Sequence, residues 1–366
     1  MPNNILQNSD ANLKDEASSI VESRTRLGLE GLVGDLEFVI INTEPERQKQ
    51  AALELLNSSG LECREEYEDE TVRDLVLSRE GSADIIIRAR KSGANPFVGI
   101  NSHSATANLP NTRLETLVFN TEDIERYVSI QKNRGVKFLT NEIQKNDKYS
   151  FIQTVPSVYT GNSVGFVEWR WDGRSYAHAG CKALGWRLKK QPRPYLSNVK
   201  QLDHIATRLT ARDRDPAIIE FMKLTNYNFD KAFYIENLNS ITSVTRYPKG
   251  RFALVFTSGI DLDESAKKTG PTENFVANYG ARVHHMAFHT ENIEETYAAL
   301  ERDGMHYLIS LVGSPEEGLK QTFTVPFENT MIVNEYIYRY GDFDGFFTKS
   351  NVTLLTEASG KVLPQD

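Results

Sequence analysis

The chain has 366 residues, which is enough for two domains of ordinary size, each with its own core. A formal net charge of -8 argues against a nucleic-acid binder, because phosphate binding needs clustered Lys and Arg. No apolar run approaches the roughly 20 residues that span a bilayer. Residues 1–27 are polar, lack the apolar core of a signal peptide and are predicted to form a disordered tail. Cys63 and Cys181 show no disulfide or metal-ligand spacing, so we expect a cytoplasmic protein.

An internal repeat organises the rest of the chain. The segment LETLVFNTEDIERY, starting at Leu114, recurs as VHHMAFHTENIEETY, starting at Val283. Two further segments recur in the same order: residues 34–41 match residues 200–207, and residues 165–171 match residues 332–338. The distance along the chain between the two copies is nearly the same for all the matched segments. The repeat predicts an N-terminal unit over 28–172, a linker rich in Gly, Pro and basic residues over 173–200, and a C-terminal unit over 201–366.

Three aligned positions of the repeat differ in their chemistry. The pairs are Phe38 with His204, Thr116 with His285, and Glu168 with Glu335. Two imidazoles and one carboxylate on separate strands are the ligand set of a facial triad, which leaves metal positions open for substrate and oxygen. The first copy lacks enough ligands, so we expect a mononuclear metal site in the second unit only.

The second position contains two adjacent histidines, His284 and His285. Side chains alternate between the faces of a strand, so the two are expected to face opposite ways. Alignment of the copies does not choose between them. A single unsupported histidine is more often an ordinary core or surface residue than a ligand, but three ligand-type residues at repeated positions favour a site.

The second half resembles the 4-hydroxyphenylpyruvate dioxygenase family of the vicinal oxygen chelate superfamily. The resemblance covers roughly residues 202–358 and extends more weakly to the first half. It is carried, in chain order, by LDHI from Leu202, VHHMAF from Val283, LKQTFTVP from Leu319, NEYIYR from Asn334 and FTKSNVTLL from Phe347.

This resemblance implies specific site residues. It favours His285 over His284 and implies that His204, His285 and Glu335 hold Fe(II). It also implies that Gln321 takes part in catalysis and that a C-terminal gating helix covers the pocket. The implied substrate-binding residues are Ser243, Ser258, Gln321, Phe323, Phe347 and Asn351. The departures from the family pattern lie on the substrate side: His284 stands where the family usually has Gln, and Val352 where it has Phe.

The resemblance further implies an α+β fold in which tandem βαβββ modules form two open β-barrels with helices outside. The implied activity is oxidative decarboxylation and hydroxylation of an aromatic 2-oxo acid by Fe(II) and O2, with 4-hydroxyphenylpyruvate giving homogentisate or 4-hydroxymandelate in tyrosine catabolism. A homodimer or homotetramer is implied as well. One alternative is a type I extradiol dioxygenase, although residues 323–335 lack its Tyr-to-Asp-Pro-Gly signature. Another alternative is a non-enzymatic binding protein of the same superfamily.

Overall fold

The computed structural model describes residues 7–171, 173–248, 252–262 and 270–360. In this part of the chain the strands form two mixed sheets, of nine and eight strands, with helices on their outer faces. No helix among the described residues combines the length and the apolar character needed to cross a membrane.

Each sheet contains two βαβββ modules, as the family resemblance implies. The first sheet contains β1 (Val33–Asn42), β2 (Glu62–Glu68), β3 (Val72–Ser78), β4 (Asp84–Arg90), β5 (Arg113–Thr121), β6 (Gln144–Lys145), β7 (Tyr149–Gln153), β8 (Ser163–Trp169) and β9 (Lys182–Ala183). The second contains β10 (Val199–Arg208), β11 (Asn228–Ile235), β12 (Ser240–Arg246), β13 (Ala253–Ser258), β14 (Arg282–Thr290), β15 (Val312–Ser314), β16 (Leu319–Phe323) and β17 (Val333–Arg339). The helices are α1 (Asp10–Leu27), α2 (Gln48–Leu56), α3 (Ile124–Asn133), α4 (Arg214–Leu224), α5 (Pro271–Tyr279), α6 (Ile293–Arg302) and α7 (Lys349–Gly360).

Strand order places the candidate ligands next to one another. In the second sheet the order is β11-β12-β13-β10-β14-β17-β16-β15, so β10, β14 and β17 are adjacent. Strand β14 is antiparallel to β10 and parallel to β17. The three strands that carry His204, His285 and Glu335 therefore form the centre of the sheet.

Helix α1 corrects the prediction of a disordered tail over residues 1–27. Residues 10–27 are helical and pack against α4 and β11 of the C-terminal unit, whereas residues 1–6 lie outside the described part. Leu13 and Ala17 are buried, and the buried Arg24 donates to the carbonyl oxygens of Thr225 and Tyr227. The apolar stripe of α1 is too sparse to stand out in the sequence, because one of its buried members is an arginine.

Helix α7, the last described element of the chain, covers the interior of the second barrel. Val352 and Leu355 of this helix are buried against the barrel interior. In the first barrel the corresponding place is occupied by the segment between the two units: Tyr176 is buried and packs edge-on against Phe38, at 5.2 Å between ring centroids.

Candidate metal centre

The structure brings His204, His285 and Glu335 together inside the second barrel. Nε2 of His204 lies 3.1 Å from Oε2 of Glu335, and Nε2 of His285 lies 3.3 Å from the same oxygen. The ligand atoms of all three residues lie within 4.8 Å of one another. His204 and Glu335 are fully buried and His285 nearly so.

The same three atoms fit a metal ion because their nearest polar neighbours in the described structure are one another. Nε2 of His204, Nε2 of His285 and Oε2 of Glu335 are all buried without a hydrogen-bond partner. A buried polar atom without a partner costs free energy, so three such atoms that converge on one point need an explanation. Two imidazole nitrogens and a carboxylate oxygen suit a divalent transition metal with open positions.

Asp203 and Arg339 hold His204 in place. Oδ1 of Asp203 lies 2.8 Å from Nδ1 of His204, and both carboxylate oxygens of Asp203 accept hydrogen bonds from Arg339. Burial raises the pKa of Asp203, but the hydrogen bonds from His204 and Arg339 outweigh it and keep that pKa below its usual range. A carboxylate on Nδ1 fixes the ring so that Nε2 presents its lone pair to the metal.

Burial and charge separate the two candidate histidine ligands. Burial alone would lower the pKa of His204, but the carboxylates of Glu335 and Asp203 raise it to about 9. Burial, together with the positive charges of His204 and Arg208, lowers the pKa of His285 well below its ordinary value. At neutral pH His285 is therefore neutral, whereas His204 holds a proton that a bound metal ion would have to displace.

Two β-bulges place the neighbours of the histidine ligands. Between β10 and β14 the register shifts at Asp203 and again at His284. A bulge inserts one extra residue into a strand and turns its side chain away from simple alternation. As a result Asp203 reaches Nδ1 of His204, and Nδ1 of His284 lies 2.9 Å from Nδ1 of His285. The expectation that His284 and His285 face opposite ways is therefore wrong.

Gln321 and Asn351 connect the carboxylate ligand to α7. Nε2 of Gln321 donates to Oε1 of Glu335 at 2.6 Å and to the carbonyl oxygen of Phe346 at 2.8 Å. Asn351 in α7 donates to Oε1 of Gln321 at 3.3 Å. Gln321 thus occupies one oxygen of Glu335 and leaves Oε2 directed at the histidines.

Three phenylalanines surround the triad. The ring of Phe323 lies 4.7 Å from that of His285, and the rings of Phe346 and Phe347 lie 5.3 Å and 5.5 Å from that of His204. The space left between His285, Phe323, Phe347 and the first turns of α7 is a cavity of about 20 Å³. This volume is close to that of one water molecule, so admission of a substrate requires α7 or its side chains to move.

Two solved structures resemble this chain over most of its length. A triple mutant of 4-hydroxymandelate synthase from Streptomyces coelicolor is 17% identical, with a TM-score of 0.65, and the match covers 90% of this chain and 98% of that chain. A fusion protein of a xylose isomerase-like TIM barrel and 4-hydroxyphenylpyruvate dioxygenase is 14% identical, with a TM-score of 0.62, and the match covers 95% of this chain and 58% of that chain. No protein-family profile and no curated protein sequence matches the chain.

The chain has the vicinal oxygen chelate fold. This confirms the predicted architecture of tandem βαβββ modules in two open barrels with helices outside. At these identities the likeness concerns the fold alone, so the chemistry of the site depends on the residues of this chain.

Two residues predicted to line the pocket lie elsewhere in the vicinal oxygen chelate fold. Ser243 faces the outer helices, where its hydroxyl accepts a hydrogen bond from Nε of Arg214 at 3.0 Å. The hydroxyl of Ser258 donates to the carbonyl oxygen of Gly259. Their strand neighbours Thr242 and Thr257, which pair across β12 and β13, line the cavity instead. The prediction was one residue out of register, and a shift by one residue reverses the face.

The first barrel of this fold has no equivalent ligand set among its described residues. Sheet register pairs Val118 with Gly165 as it pairs Ala287 with Glu335, so Gly165 and not Glu168 is the counterpart of Glu335. Glu168 instead accepts a hydrogen bond from the backbone N–H of Ile124 at the start of α3. The similar Glu–aromatic pattern of the two strands caused the misalignment.

A second group of ligand-type side chains, Asp69, His178 and Cys181, lies at the edge of the first barrel. Oδ1 of Asp69 already accepts hydrogen bonds from Thr71 and from the backbone N–H of Val72. Nδ1 of His178 accepts one from the backbone N–H of Gly180 at 3.1 Å, which leaves the proton of a neutral ring on Nε2. Because these hydrogen bonds already use lone pairs of Asp69 and His178, the group is a poorer metal site than the triad.

Sequence reasoning missed several residues around the triad. Asp203 stands inside the LDHI segment, and a polar neighbour beside a ligand histidine was the available signal. Arg208 lies four residues after His204 on the same strand, so strand alternation placed it on the same face. No pattern in the sequence identified the bulge that gives His284 its contact.

Proposed function

We propose that this protein is an Fe(II)-dependent dioxygenase that oxidatively decarboxylates a 2-oxo acid and hydroxylates the same molecule. The observation that carries the proposal is the convergence of three buried, partnerless ligand atoms on His204, His285 and Glu335 beside a closed cavity. Two histidines and one carboxylate with open positions are the ligand set of non-haem Fe(II) oxygenases. The two similar solved structures, named as a 4-hydroxymandelate synthase and a fusion containing 4-hydroxyphenylpyruvate dioxygenase, agree with this choice.

In this reaction a 2-oxo acid and O2 give CO2 and a hydroxylated acid that is one carbon shorter. One oxygen atom enters the new carboxylate and the other enters the hydroxyl group, so no external reductant is needed. Bound Fe(II) would supply the activation of O2 and would hold the carboxylate and keto oxygens of the substrate.

The chain itself orients the ligands and excludes water. Asp203, held by Arg339, fixes the ring of His204, and Gln321 occupies Oε1 of Glu335 so that Oε2 remains for the metal. Phe323 and Phe347 shield the open side of the site. A dry site protects reactive species from side reactions with solvent.

Helix α7 is proposed as the gate. Asn351 reaches Gln321, which contacts Glu335, so the position of α7 is linked by hydrogen bonds to a ligand of the site. Substrate would enter when α7 moves outward, and its return would restore both the hydrogen bond and the aromatic shield.

The test is oxygen uptake and CO2 release by protein loaded anaerobically with Fe(II), with 4-hydroxyphenylpyruvate as the first substrate and a panel of other 2-oxo acids after it. Mass spectrometry of the products would distinguish homogentisate from 4-hydroxymandelate. We expect O2 consumption and CO2 release in equal amounts with at least one 2-oxo acid. Bound iron without oxygen consumption for any member of the panel would contradict the proposal and favour a binding protein, whereas ring opening of a catechol would favour an extradiol dioxygenase.

A further inference from the structure

Arg208 shares the small cavity of the metal centre. His204, Ala206 and Arg208 alternate along β10, so the three side chains project from the same face of the strand. Arg208 lines the cavity together with His285 and Phe323. It is only 4% exposed, so its guanidinium lies in the barrel interior rather than in solvent.

The guanidinium of Arg208 is incompletely satisfied. Its Nη2 donates to the hydroxyl of Ser359 at 2.5 Å, and the group lies 4.8 Å from the ring centroid of Phe275. Its Nη1 is buried and has no hydrogen-bond partner in the described structure. Neither partner carries a negative charge.

Other buried arginines of the described chain have stronger hydrogen-bond acceptors as partners. Arg24 and Arg113 donate to backbone carbonyls of Tyr227 and Thr160, Arg282 donates to that of Thr112, and Arg214 pairs with Asp10 and Asp215. Arg208 has neither a carbonyl nor a carboxylate partner among the described residues. Nη1 of Arg282 is also buried without a partner, but Arg282 has a carbonyl acceptor, so Arg208 is the buried arginine with the weakest set of acceptors and could accommodate an anion.

The fold does not require an arginine at this position. The register of β1 with β5 makes Asn42 the counterpart of Arg208 in the first barrel, where its amide donates to the carbonyl oxygen of Asn111. Of the two barrels, only the one with the candidate metal ligands has an arginine at this strand position. Burial lowers the pKa of Arg208 to about 9, because the barrel interior solvates a charged guanidinium poorly.

We propose that Arg208 binds a second anionic group of the substrate, so that the substrate is a 2-oxo acid with a carboxylate at its far end. This inference rests on the proposed function for the 2-oxo acid end, and it deepens that function by specifying the other end. One end of the substrate would lie at the triad and the other at Nη1 of Arg208. Thr242 and Thr257 line the same cavity, and their hydroxyl groups would add hydrogen bonds.

The surroundings favour a compact acidic substrate over a phenol. Three threonines, Thr242, Thr257 and Thr356, lie beside Arg208 in the cavity lining, which gives the far end of a substrate polar as well as apolar neighbours. Ser359, the hydrogen-bond partner of Arg208, lies in α7. An anion bound at Arg208 would therefore lie next to the gate and favour its closure. Carboxylated 2-oxo acids rank above 4-hydroxyphenylpyruvate on these grounds.

The experiment compares two ligands of equal chain length, 2-oxoglutarate and 2-oxopentanoate, which differ only in the second carboxylate. Binding to protein loaded with redox-inert Zn(II) is measured by isothermal titration calorimetry, without any turnover. For the wild type we expect 2-oxoglutarate to bind about 10- to 100-fold more tightly, the range expected for a charge-assisted hydrogen bond. The variant Arg208→Met should bind the two ligands equally, and Arg208→Lys should recover part of the preference.

Each outcome decides the inference. Equal affinity of the wild type for the two ligands, also for the longer pair 2-oxoadipate and 2-oxohexanoate, would overturn it, as would an Arg208→Met variant that keeps the preference. If Arg208→Met does not fold, the wild-type ratio and Arg208→Lys still decide. Failure of the proposed function is a separate result: it would be absence of oxygen consumption, whatever the ratio of affinities.

Discussion

Nδ1 of His284 lies 2.9 Å from Nδ1 of His285, although the two residues are neighbours in one strand. If Nε2 of His285 is to offer a lone pair to a metal, its Nδ1 must carry the proton and donate it to His284. Nδ1 of His284 is then the acceptor, and the proton of its own ring is on Nε2. The β-bulge at His284 thus provides the hydrogen bond that would fix the tautomer of His285 as a metal ligand.

Replacing His284 with Phe removes this acceptor and keeps most of the volume. We expect affinity for Fe(II) to fall about 10- to 100-fold, the usual effect of losing a hydrogen-bond partner of a metal ligand, without loss of the site. Titration of the metal-free protein against a competing chelator measures the affinity. His289→Phe is the matched control, because His289 lies on the same strand and stacks on Tyr338 away from the triad. An affinity equal to that of the wild type would show that the contact has no role.

The first barrel should not accept a metal site by simple substitution. A Cβ atom at Gly165 would lie 2.9 Å from Cγ2 of Val118 and 3.2 Å from Cε2 of Phe151, so a glutamate does not fit there without displacing the core. We expect the triple variant Phe38→His, Thr116→His and Gly165→Glu to be less stable than the wild type and to gain no additional iron. Metal analysis and thermal unfolding measure both properties. A second equivalent of iron in this variant would show that only the ligands, and not the packing, were lost.

Asp84 of the first barrel makes stability depend on pH. Burial raises its pKa to about 6, partly offset by the hydrogen bond from Tyr176 and the charge of Arg64. The folded carboxyl group therefore keeps its proton to a higher pH than the unfolded one, whose pKa is about 4. Since the folded state binds more protons in this window, the free energy of unfolding falls as pH rises from about 4 to about 6 and then stays level.

The variant Asp84→Asn removes this titration. We compare the free energy of unfolding of the variant with that of the wild type at each pH. The difference, variant minus wild type, should be larger at about pH 7.5 than at about pH 4, by up to roughly 2 kcal/mol. Urea unfolding at the two pH values measures the difference, and Asp342→Asn, at an exposed position, is the control. A difference between variant and wild type that does not change with pH, or that changes in the opposite direction, would contradict the assignment.

Sequence reasoning succeeded where the information was repeated along the chain. Two copies of a strand–helix pattern predicted a tandem repeat, and the contrast of Phe38 with His204 and of Thr116 with His285 predicted which barrel brings the candidate ligands together. Both pairs of positions coincide in the sheet register, because strands β10 and β14 repeat β1 and β5.

Sequence reasoning failed where one residue of register decides the outcome. The bulge at His284 changes no residue type that a pattern could detect, and a shift of one residue exchanged Ser243 for Thr242 in the cavity. Helix α1 was missed because its buried face includes Arg24, whose partners are carbonyl groups in another unit. In each case the deciding contact is distant in sequence or depends on backbone geometry.

The most direct test of the metal centre is the iron content of protein reconstituted anaerobically with excess Fe(II) and then freed of unbound metal. We predict a single Fe(II) per chain in the wild type and in the control His306→Ala, most of it retained in His284→Ala, and none in His285→Ala or Glu335→Ala. A wild-type protein without iron, or equal loss of iron from His284→Ala and His285→Ala, would contradict the assignment of His204, His285 and Glu335 as the ligands.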